Sequence, residues 1–396
     1  MTVVDALLTV NAGSSSIKFA LFATDGDGAP RQFVSGQIEN IGTGARFVAH
    51  DASGNEIAAR QWPPSAAATH EDVFSDLLDW IDRHLGEARL TAVGHRVVHG
   101  GRDLAAPTMI NADVLARLDA LVPLAPLHQP HSLHAIRAVT SLRPDLPQVA
   151  CFDTAFHRTL SETVRRYALP RDLHDDGIER YGFHGLSYEY IAGALRRGYP
   201  ALASGRVVVA HLGNGASMCA ILDGKSVDTT MGFTALDGLP MGTRCGALDP
   251  GVILYLQQAR AMSPAQIEDL LYHRAGLLGV SGISADMRTL LASDDPHAKE
   301  AIDLFCFRIA RNTAALTVAL GGLDAIVFTG GIGEHAPQVR AQACAQLRWL
   351  GVAIDAASNA DNATRISTAV SAVAVLMIPT DEEAMIARHT RDVAGP

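Results

Sequence analysis

The sequence predicts an α/β fold in two domains, and three observations carry that expectation. Strand-like and helix-like stretches alternate along the chain without a low-complexity linker, the pattern of sheets covered by helices. The 396 residues exceed what one hydrophobic core usually organises. A third signal is a repeated element, in which an apolar run enters a tight glycine-containing polar turn and leaves as a second apolar run. Leu7-Leu8-Thr9-Val10 passes through Asn11-Ala12-Gly13-Ser14-Ser15-Ser16 into Ile17-Lys18-Phe19-Ala20-Leu21. Val207-Val208-Val209-Ala210 passes through Leu212-Gly213-Asn214-Gly215-Ala216-Ser217 into Met218-Cys219-Ala220-Ile221-Leu222. One hairpin is used twice. With two domains, the cleft between them is the default position of an active site.

Strand signals alternate with Gly- and Asp-rich turns up to about Gly54. An amphipathic helix is expected over 72–84, because Val73, Leu77, Leu78 and Ile81 follow helical spacing. Residues 90–98 read as a strand, and helical stretches over 112–121 and 132–140 stop at Pro123 and before Pro144. Gln148-Val149-Ala150-Cys151-Phe152 reads as a short buried strand, and a domain boundary is placed after it. The first domain is then 1–152, completed by a C-terminal helix within 381–396, and the second is a nucleotide-binding domain over 153–380. Within the second, a loop over 180–185 precedes a helix over 188–197, and the second hairpin follows. Helices over 250–259, 264–274 and 298–320 lead to a strand over 325–329, and the tail gives a strand over 373–378 and a helix over 381–393. A third glycine segment, Thr329-Gly330-Gly331-Ile332-Gly333-Glu334, reads as a turn leading into a helix near Pro337, where an anion meets a helix N-terminus.

Hydrophobic residues at 48% and charged residues at 19% describe a compact globular protein. No apolar run is long enough to cross a bilayer and the start does not resemble a signal peptide, so a cytoplasmic protein is expected. The formal charge of -10 gives no electrostatic reason to expect nucleic acid or an anionic membrane surface as partner, and small substrates fit better. The five cysteines are scattered and lack a C-x-x-C pair, which argues against disulfides or structural zinc and for reduced thiols. Cys151 and Cys219 lie inside apolar runs and read as small core residues.

The glycine turns let backbone N–H groups converge on an anion, so a phosphate chain is the expected occupant. Single polar residues recur at strand ends, where ligands of α/β sheets bind: Arg96, Asp153, His184, Asn214 and Arg244. The arginines either grip a carboxylate or phosphoryl group bidentately or form structural salt bridges. Asp153 suits Mg²⁺ or serves as a helix cap. Glu382 is placed to hold metal-bound water, while Thr380-x-x-Glu383 also scores as a capping box. His184 either donates to a transferring phosphoryl group or satisfies a loop carbonyl. His128, His131 and His134 do not follow i, i+4 spacing, and loop packing or capping is their better reading. Gly331-Ile332-Gly333-Glu334-His335-Ala336 satisfies a dinucleotide pattern with Asp355 downstream, although it lies late in its domain and after two phosphate-type hairpins.

Longer motifs go beyond general chemistry. Asn11 to Phe19, Ala125-Pro126-Leu127-His128, Cys151 to His157, His211-Leu212-Gly213-Asn214-Gly215, Met241-Gly242-Thr243-Arg244 and Phe328 to Glu334 resemble the acetate kinase family, in the family's order and from the first strand to the last helix. The resemblance implies the duplicated actin-like ATPase (ribonuclease H-like) fold, with the active site in an interdomain cleft. It implies a homodimer and Mg²⁺-dependent, reversible transfer of the ATP γ-phosphoryl group to acetate, with Mn²⁺ as an alternative metal. Carried over by position, it implies Asp153, His184, Arg244 and His128 as catalytic residues, and Arg96, Val98, Leu127 and Ala235 as substrate contacts. It places Asn11 and Glu382 on the metal side. The implied nucleotide contacts are Lys18, His211, Leu212, Gly213, Asn214, Gly215, Asp286, Met287, Arg288, Gly330, Gly331, Ile332 and Gly333.

The chain departs from the family pattern where Leu186-Ser187-Tyr188 stands for Thr-Ser-His, Ala235 for proline, Pro240 for an apolar residue and Ala247 for an acidic one. These departures leave the phosphate machinery untouched and bear on acyl-chain preference, so a propionate- or butyrate-preferring enzyme is the near alternative. A sugar kinase and a non-enzymatic nucleotide switch are the remoter ones.

Overall fold

A computed structural model describes residues 5–13, 16–24, 28–63, 69–86, 88–126 and 128–395. Ser14 and Ser15 of the first turn, and the expected substrate contact Leu127, lie outside the described residues. The chain divides into two compact units, one running up to Ala155 and including the segment from Asp381, the other spanning Phe156–Thr380.

The first unit holds eight strands: β1 (Asp5–Ala12), β2 (Ile17–Ala23), β3 (Arg31–Glu39), β4 (Arg46–Asp51), β5 (Glu56–Gln61), β6 (Arg89–Val97), β7 (Thr108–Met109) and β8 (Gln148–Phe152). They form one sheet in the order β5-β4-β3-β2-β1-β6-β8-β7. β1 and β2 are the antiparallel hairpin read from the sequence, with Asn11 opposite Lys18. β1 is parallel to β6 and β6 to β8, so their carboxyl ends emerge along one edge. Both faces of this sheet are covered, which is why Ala6 to Val10 are apolar or buried without alternation. Leu8 and Val10 face a core with Phe19, Phe47 and Trp80, while Leu7 packs with Phe22, Ala92 and Ala387. Ala387 belongs to the C-terminal helix Glu382–Ala394, which packs on β1, β6 and β8. Gly94 marks how close that helix comes: a Cβ there would lie 2.0 Å from Thr390 Oγ1 and 2.6 Å from Ile386 Cγ2.

The second unit holds β9 (Arg206–Leu212), β10 (Ala216–Leu222), β11 (Lys225–Thr229), β12 (Ala325–Thr329) and β13 (Ala374–Met377), in the order β11-β10-β9-β12-β13. β9, β10 and β11 run antiparallel in succession, and on the other side β9 is parallel to β12 and β12 to β13. β3-β2-β1-β6-β8 repeats this order with the same directions, so the repeated hairpin seeds a repeated sheet, the duplicated two-domain α/β fold expected. Its core joins Val207, Val209, Cys219, Val327 and Leu376 to Tyr188, Ile191 and Leu195 of the helix Gly185–Gly198.

Three local expectations differ from the structure. The segment after β12 is not a turn ahead of a later helix, because Gly330–His335 is itself helical and a second helix, Pro337–Ala345, follows. The C-terminal helix is capped by the Asp381 side chain, which accepts from Ala384 N at 2.8 Å, and not by a Thr380 capping box. The short helices Gly276–Ser281 and Met287–Leu291 have too few turns to show periodicity and were not read from the sequence. Among the described residues no helix is long and apolar enough to cross a membrane.

Two buried histidines of the first unit make its stability depend on pH. His95 Nε2 is 2.8 Å from Gln148 Oε1, and burial, opposed by that hydrogen bond, pushes the ring down to about 4; burial does the same to His99. Unfolded histidine titrates near ~6.5, so as pH falls from there the unfolded state gains protons that the folded state refuses, and stability is lost. The buried carboxyls of Glu382 and Glu383 are pushed up and act in the opposite sense, so a difference isolates the histidine. Between pH 6.5 and 5, urea unfolding should show the wild type losing about 1.5 kcal/mol more than His95→Gln; equal losses would contradict a neutral His95.

Candidate active site

The parallel strands of the first unit deliver one polar cluster. Arg96, near the end of β6, donates from Nε to Asp153 Oδ1 at 3.0 Å and from Nη2 to Asp153 Oδ2 at 2.6 Å. Its Nη1 donates to Asn11 Oδ1 at 3.2 Å, and its Nε lies 3.9 Å from Glu382 Oε2. Asp153 directly follows β8, its N–H donating to Val97 O and so extending the parallel ladder. Asp153 is 1% exposed, Glu382 14% and Arg96 22%. Burial alone would lower the Arg96 guanidinium, but the Asp153 and Glu382 carboxylates overcome it and hold the group above its ordinary value. Burial raises the Glu382 carboxyl, with Arg96 opposing the shift and Asp153 adding to it.

The neighbouring segments are fixed by residues the sequence reading missed. Val98 is buried, and Gln129 clamps the residue after it, accepting from His99 N at 3.2 Å and donating to His99 O at 3.1 Å. Gln129 opens the helix Gln129–Leu142, directly after His128, whose side chain does not cap that helix. Lys18 is exposed on β2, across from Asn11. The donors Asn11, Asp153 and Glu382 are hard oxygens, one amide and two carboxylates, a set that fits Mg²⁺ or Mn²⁺ with phosphate and water completing the shell. Among the described residues no group of three or more His, Cys, Asp or Glu side chains is placed to hold a metal alone.

In the second unit, the turn between β9 and β10 is closed by Gly213 N donating to Gly215 O at 2.9 Å. His184 and Arg244 flank it: a Cβ on Gly215 would lie 3.3 Å from His184 Nε2 and 4.0 Å from Arg244 Nη1. The His184 ring stacks on His211 with centroids 4.3 Å apart, and its Nδ1 is 2.8 Å from Ser217 Oγ. His211 Nδ1 is 2.8 Å from Ser187 Oγ. Arg244 Nη1 donates to Ala235 O at 3.1 Å. Leu212 is fully buried in β9.

A cavity of about 410 Å³ opens beside this turn, within the size range of small-molecule sites. Three separated segments line it: Gly213 and Asn214, then Asp286, Met287 and Arg288, then Gly331 and Ile332. Ala285 and Leu291 also line it and were not read from the sequence, and so does His335, which the sequence offered only within the dinucleotide pattern. Asp286 caps the helix Met287–Leu291 through Arg288 N at 2.8 Å and pairs with the Arg288 side chain, whose hydrogen bond holds its carboxyl down at about 2. Behind the cavity, Glu334 Oε1 accepts from Gly330 N at 2.8 Å and Thr380 N at 3.2 Å. The fully buried Arg340 donates to Gly333 O, Glu334 O, Asn359 O and the amide oxygens of Asn359 and Asn362, satisfying the carbonyl end of Gly330–His335. An arginine on the apolar face of a predicted helix was the one sequence signal for it.

The structure therefore brings Asn11, Arg96, Asp153 and Glu382 together, sets His184 and Arg244 beside Gly215 with His211 stacked on His184, and places Asp286, Met287, Arg288, Gly331 and Ile332 on one cavity. It sets Lys18 on β2 opposite Asn11, and His128 directly ahead of the helix Gln129–Leu142.

The family model described as the acetokinase family matches residues 6–388. An acetate kinase of Rhodopseudomonas palustris is 55% identical over 389 residues, covering 97% of each chain. A crystal structure of a propionate kinase from Francisella tularensis superposes with a TM-score of 0.91 at 39% identity, over 98% of this chain and 100% of that one. A Porphyromonas gingivalis acetate kinase gives 0.86 at 34% identity, over 99% and 100%.

Gly330 tests the second-unit geometry. It has φ +76, and a Cβ would lie 2.9 Å from Leu212 O and 3.1 Å from Leu212 N. Gly330→Ala should cost about 1–2 kcal/mol in urea unfolding from the left-handed conformation alone and weaken nucleotide binding measured by calorimetry; wild-type values for both would show that the segment does not need glycine.

Proposed function

The chain belongs to the acetokinase family, and we propose that it catalyses the reversible transfer of the ATP γ-phosphoryl group to acetate, giving acetyl phosphate and ADP. The observation that carries this reading is the pair between Arg96 and Asp153, which engages both oxygens of the carboxylate. A hydroxyl acceptor needs an aspartate free to take its proton, and both oxygens of Asp153 already accept from the Arg96 guanidinium. A carboxylate acceptor is already ionised at neutral pH and needs no base. The remaining task is to bring one anion against another.

Fixed positive groups and hydrogen-bond donors do that work. Arg96 orients the acyl carboxylate from the first unit, and Val98 and Leu127 are the further acyl contacts that the family resemblance implies. Arg244 and His184, placed about Gly215, donate to the oxygens of the transferring group, and His128 assists as a further donor. The glycine turn Leu212–Gly215, His211, Lys18 and the segments at Asp286–Arg288 and Gly330–Gly333 hold the nucleotide. Mg²⁺ or Mn²⁺ held through Asn11, Asp153 and Glu382, when bound, neutralises phosphate charge. Near-attack geometry supplies the rest of the rate.

A second reading keeps the chemistry and changes the acyl chain. It is favoured by the small Ala235, whose carbonyl holds Arg244, and by the likeness to a propionate kinase. We also propose a cytoplasmic homodimer. Its support is the helix Pro250–Gln258, none of whose residues is buried, with Val252, Leu254 and Tyr255 exposed.

Trapping of acyl phosphate with hydroxylamine separates the alternatives, because a sugar kinase or a nucleotide switch gives no hydroxamate from acetate and ATP. Turnover should be highest with acetate, fall with propionate and fall again with butyrate; an inverted order moves the assignment to the second reading. Arg244→Leu should lower turnover about a hundred- to a thousandfold, the loss typical of one oxyanion donor, with ATP affinity barely changed. Turnover near wild type would remove Arg244 from the mechanism. Light scattering should give twice the chain mass of 41.9 kDa, and Leu254→Glu should shift it toward the monomer; a monomeric wild type would refute the dimer.

A further inference from the structure

Tyr188 stands where the family pattern expects histidine, and it does not touch the cavity or the Arg96 cluster in the scheme above. It is fully buried one turn along the helix from His184, its N–H donating to His184 O at 3.1 Å. Its Oη is 2.5 Å from Ser217 Oγ, and the same Ser217 Oγ is 2.8 Å from His184 Nδ1. Ser217 is also fully buried, so the Tyr188–Ser217 contact is shielded from water, while His184 at its end is half-buried. The Tyr188 ring is fixed edge-on against His157, with centroids 5.6 Å apart, and His157 is itself bonded to Ser226 Oγ at 2.8 Å and to Phe183 O at 2.9 Å. His184 takes φ +58, a left-handed conformation that a residue other than glycine keeps only where its surroundings impose it.

We propose that Tyr188 is a positioning residue for phosphoryl transfer: acting through Ser217, its hydroxyl fixes His184 Nδ1 as an acceptor and keeps the ring proton on Nε2, the nitrogen beside Gly215. The direction of the chain follows from acidity. A phenol is a stronger donor than an alkyl hydroxyl, so Tyr188 O–H donates to Ser217. Ser217 has one proton, and with its oxygen already accepting, that proton points to His184 Nδ1. A neutral imidazole that accepts at Nδ1 carries its hydrogen at Nε2. Stacking on His211 sets the plane of the ring, and Ser217 sets its rotation and tautomer. Nε2–H is the form that serves an anionic phosphoryl oxygen; the other tautomer would present a lone pair to it. This inference rests on the role of His184 in the proposed reaction, but the tautomer itself can be read without turnover.

The test is Tyr188→Phe, which removes one oxygen from a buried ring, examined by long-range ¹H–¹⁵N histidine spectra and by steady-state kinetics. The His184 signals are assigned by their loss in His184→Gln. The wild type should show an Nε2–H ring, and Tyr188→Phe an averaged tautomer. Turnover should fall about ten- to a hundredfold, as for other partners that orient a working histidine, with the KM for ATP held within about twofold. Ser217→Ala should reproduce both effects, and the double variant should be no worse than Ser217→Ala, a non-additivity that a merely structural role would not give. It also keeps the test open if Tyr188→Phe does not fold. An unchanged Nε2–H signature with full turnover in Tyr188→Phe, or a wild-type ring protonated at Nδ1, overturns the proposal. Absence of hydroxamate from the wild type would instead overturn the kinase reading, and the two failures are told apart because the spectra need no substrate.

Discussion

Everything in the first unit turns on one guanidinium held between two carboxylates. Arg96 is mostly buried, and a buried charge is tolerated only where paired and hydrogen-bonded. The cluster is assembled from four separate elements: Asn11 at the end of β1, Asp153 after β8, Glu382 at the start of the C-terminal helix, and β6, which carries Arg96 itself. The pairing of β1, β6 and β8 in parallel is what puts three of those four side by side, and the docking of the C-terminal helix on the same strands supplies the fourth. Removing one member leaves the others charged and desolvated, so the cluster is expected to be all-or-none in its contribution. Two carboxylates on one guanidinium also leave an excess of negative charge, a suitable seat for a cation and an unsuitable one for a bare phosphate chain.

The two sheets share one strand order but use their edges differently. In the first unit, the carboxyl ends of the parallel strands carry charged and amide side chains. In the second, the corresponding ends of β9 and β12 carry glycines, at Gly213, Gly215, Gly330 and Gly331, and offer backbone instead. Side-chain charge suits a small anionic acceptor and its metal, where position decides the chemistry. Backbone donors at glycines suit a polyphosphate, which is long, and whose binding spreads over many weak contacts. Duplication thus gives two copies of a scaffold, and the residues at strand ends divide the labour. The second unit adds what a bare turn lacks: Arg340 and Glu334 tie down both ends of Gly330–His335, so its backbone geometry is fixed before any ligand arrives.

Much of this was legible in the sequence, and the reasons are local. The hairpins, the strand Gln148–Phe152 and the strand Ala325–Thr329 are continuous apolar runs bounded by polar turns, the least ambiguous of strand signals. Asn11, Arg96, Asp153 and Glu382 were each singled out, from strand ends and from family likeness, but their mutual contact depends on parallel register, which no periodicity reveals. Ser217 was placed by the sequence at the end of the second glycine turn, and its role was hidden for a different reason. It lies in an apolar strand where a hydroxyl reads as a tolerated small residue, and only the structure shows it shared between Tyr188 and His184. Gln129 and Arg340 were missed because long polar side chains buried on helices bond to backbone far away in sequence. The Thr380 capping box failed against Asp381 because the two candidates are adjacent and a sequence does not fix a helix boundary to one residue.

Acyl-chain preference is where the family likeness constrains least, and the physics says why. A guanidinium recognises the carboxylate head group in every short-chain acid alike, so the groups that drive transfer do not discriminate among them. Discrimination rests on an apolar wall, and one methylene against such a wall is worth only ~1–3 kcal/mol. Ala235 and the buried Pro240 lie apart in the sequence from Arg96, Asp153 and the glycine turns, so a change of preference at these two positions would leave those groups in place. Ala247, by contrast, is exposed, and the loss of an acidic group there leaves a solvent-facing methyl. The same separation explains how likeness to both an acetate kinase and a propionate kinase is compatible with a single reaction: the chemistry is fixed by charge, and the chain length by the shape of what lies beyond it.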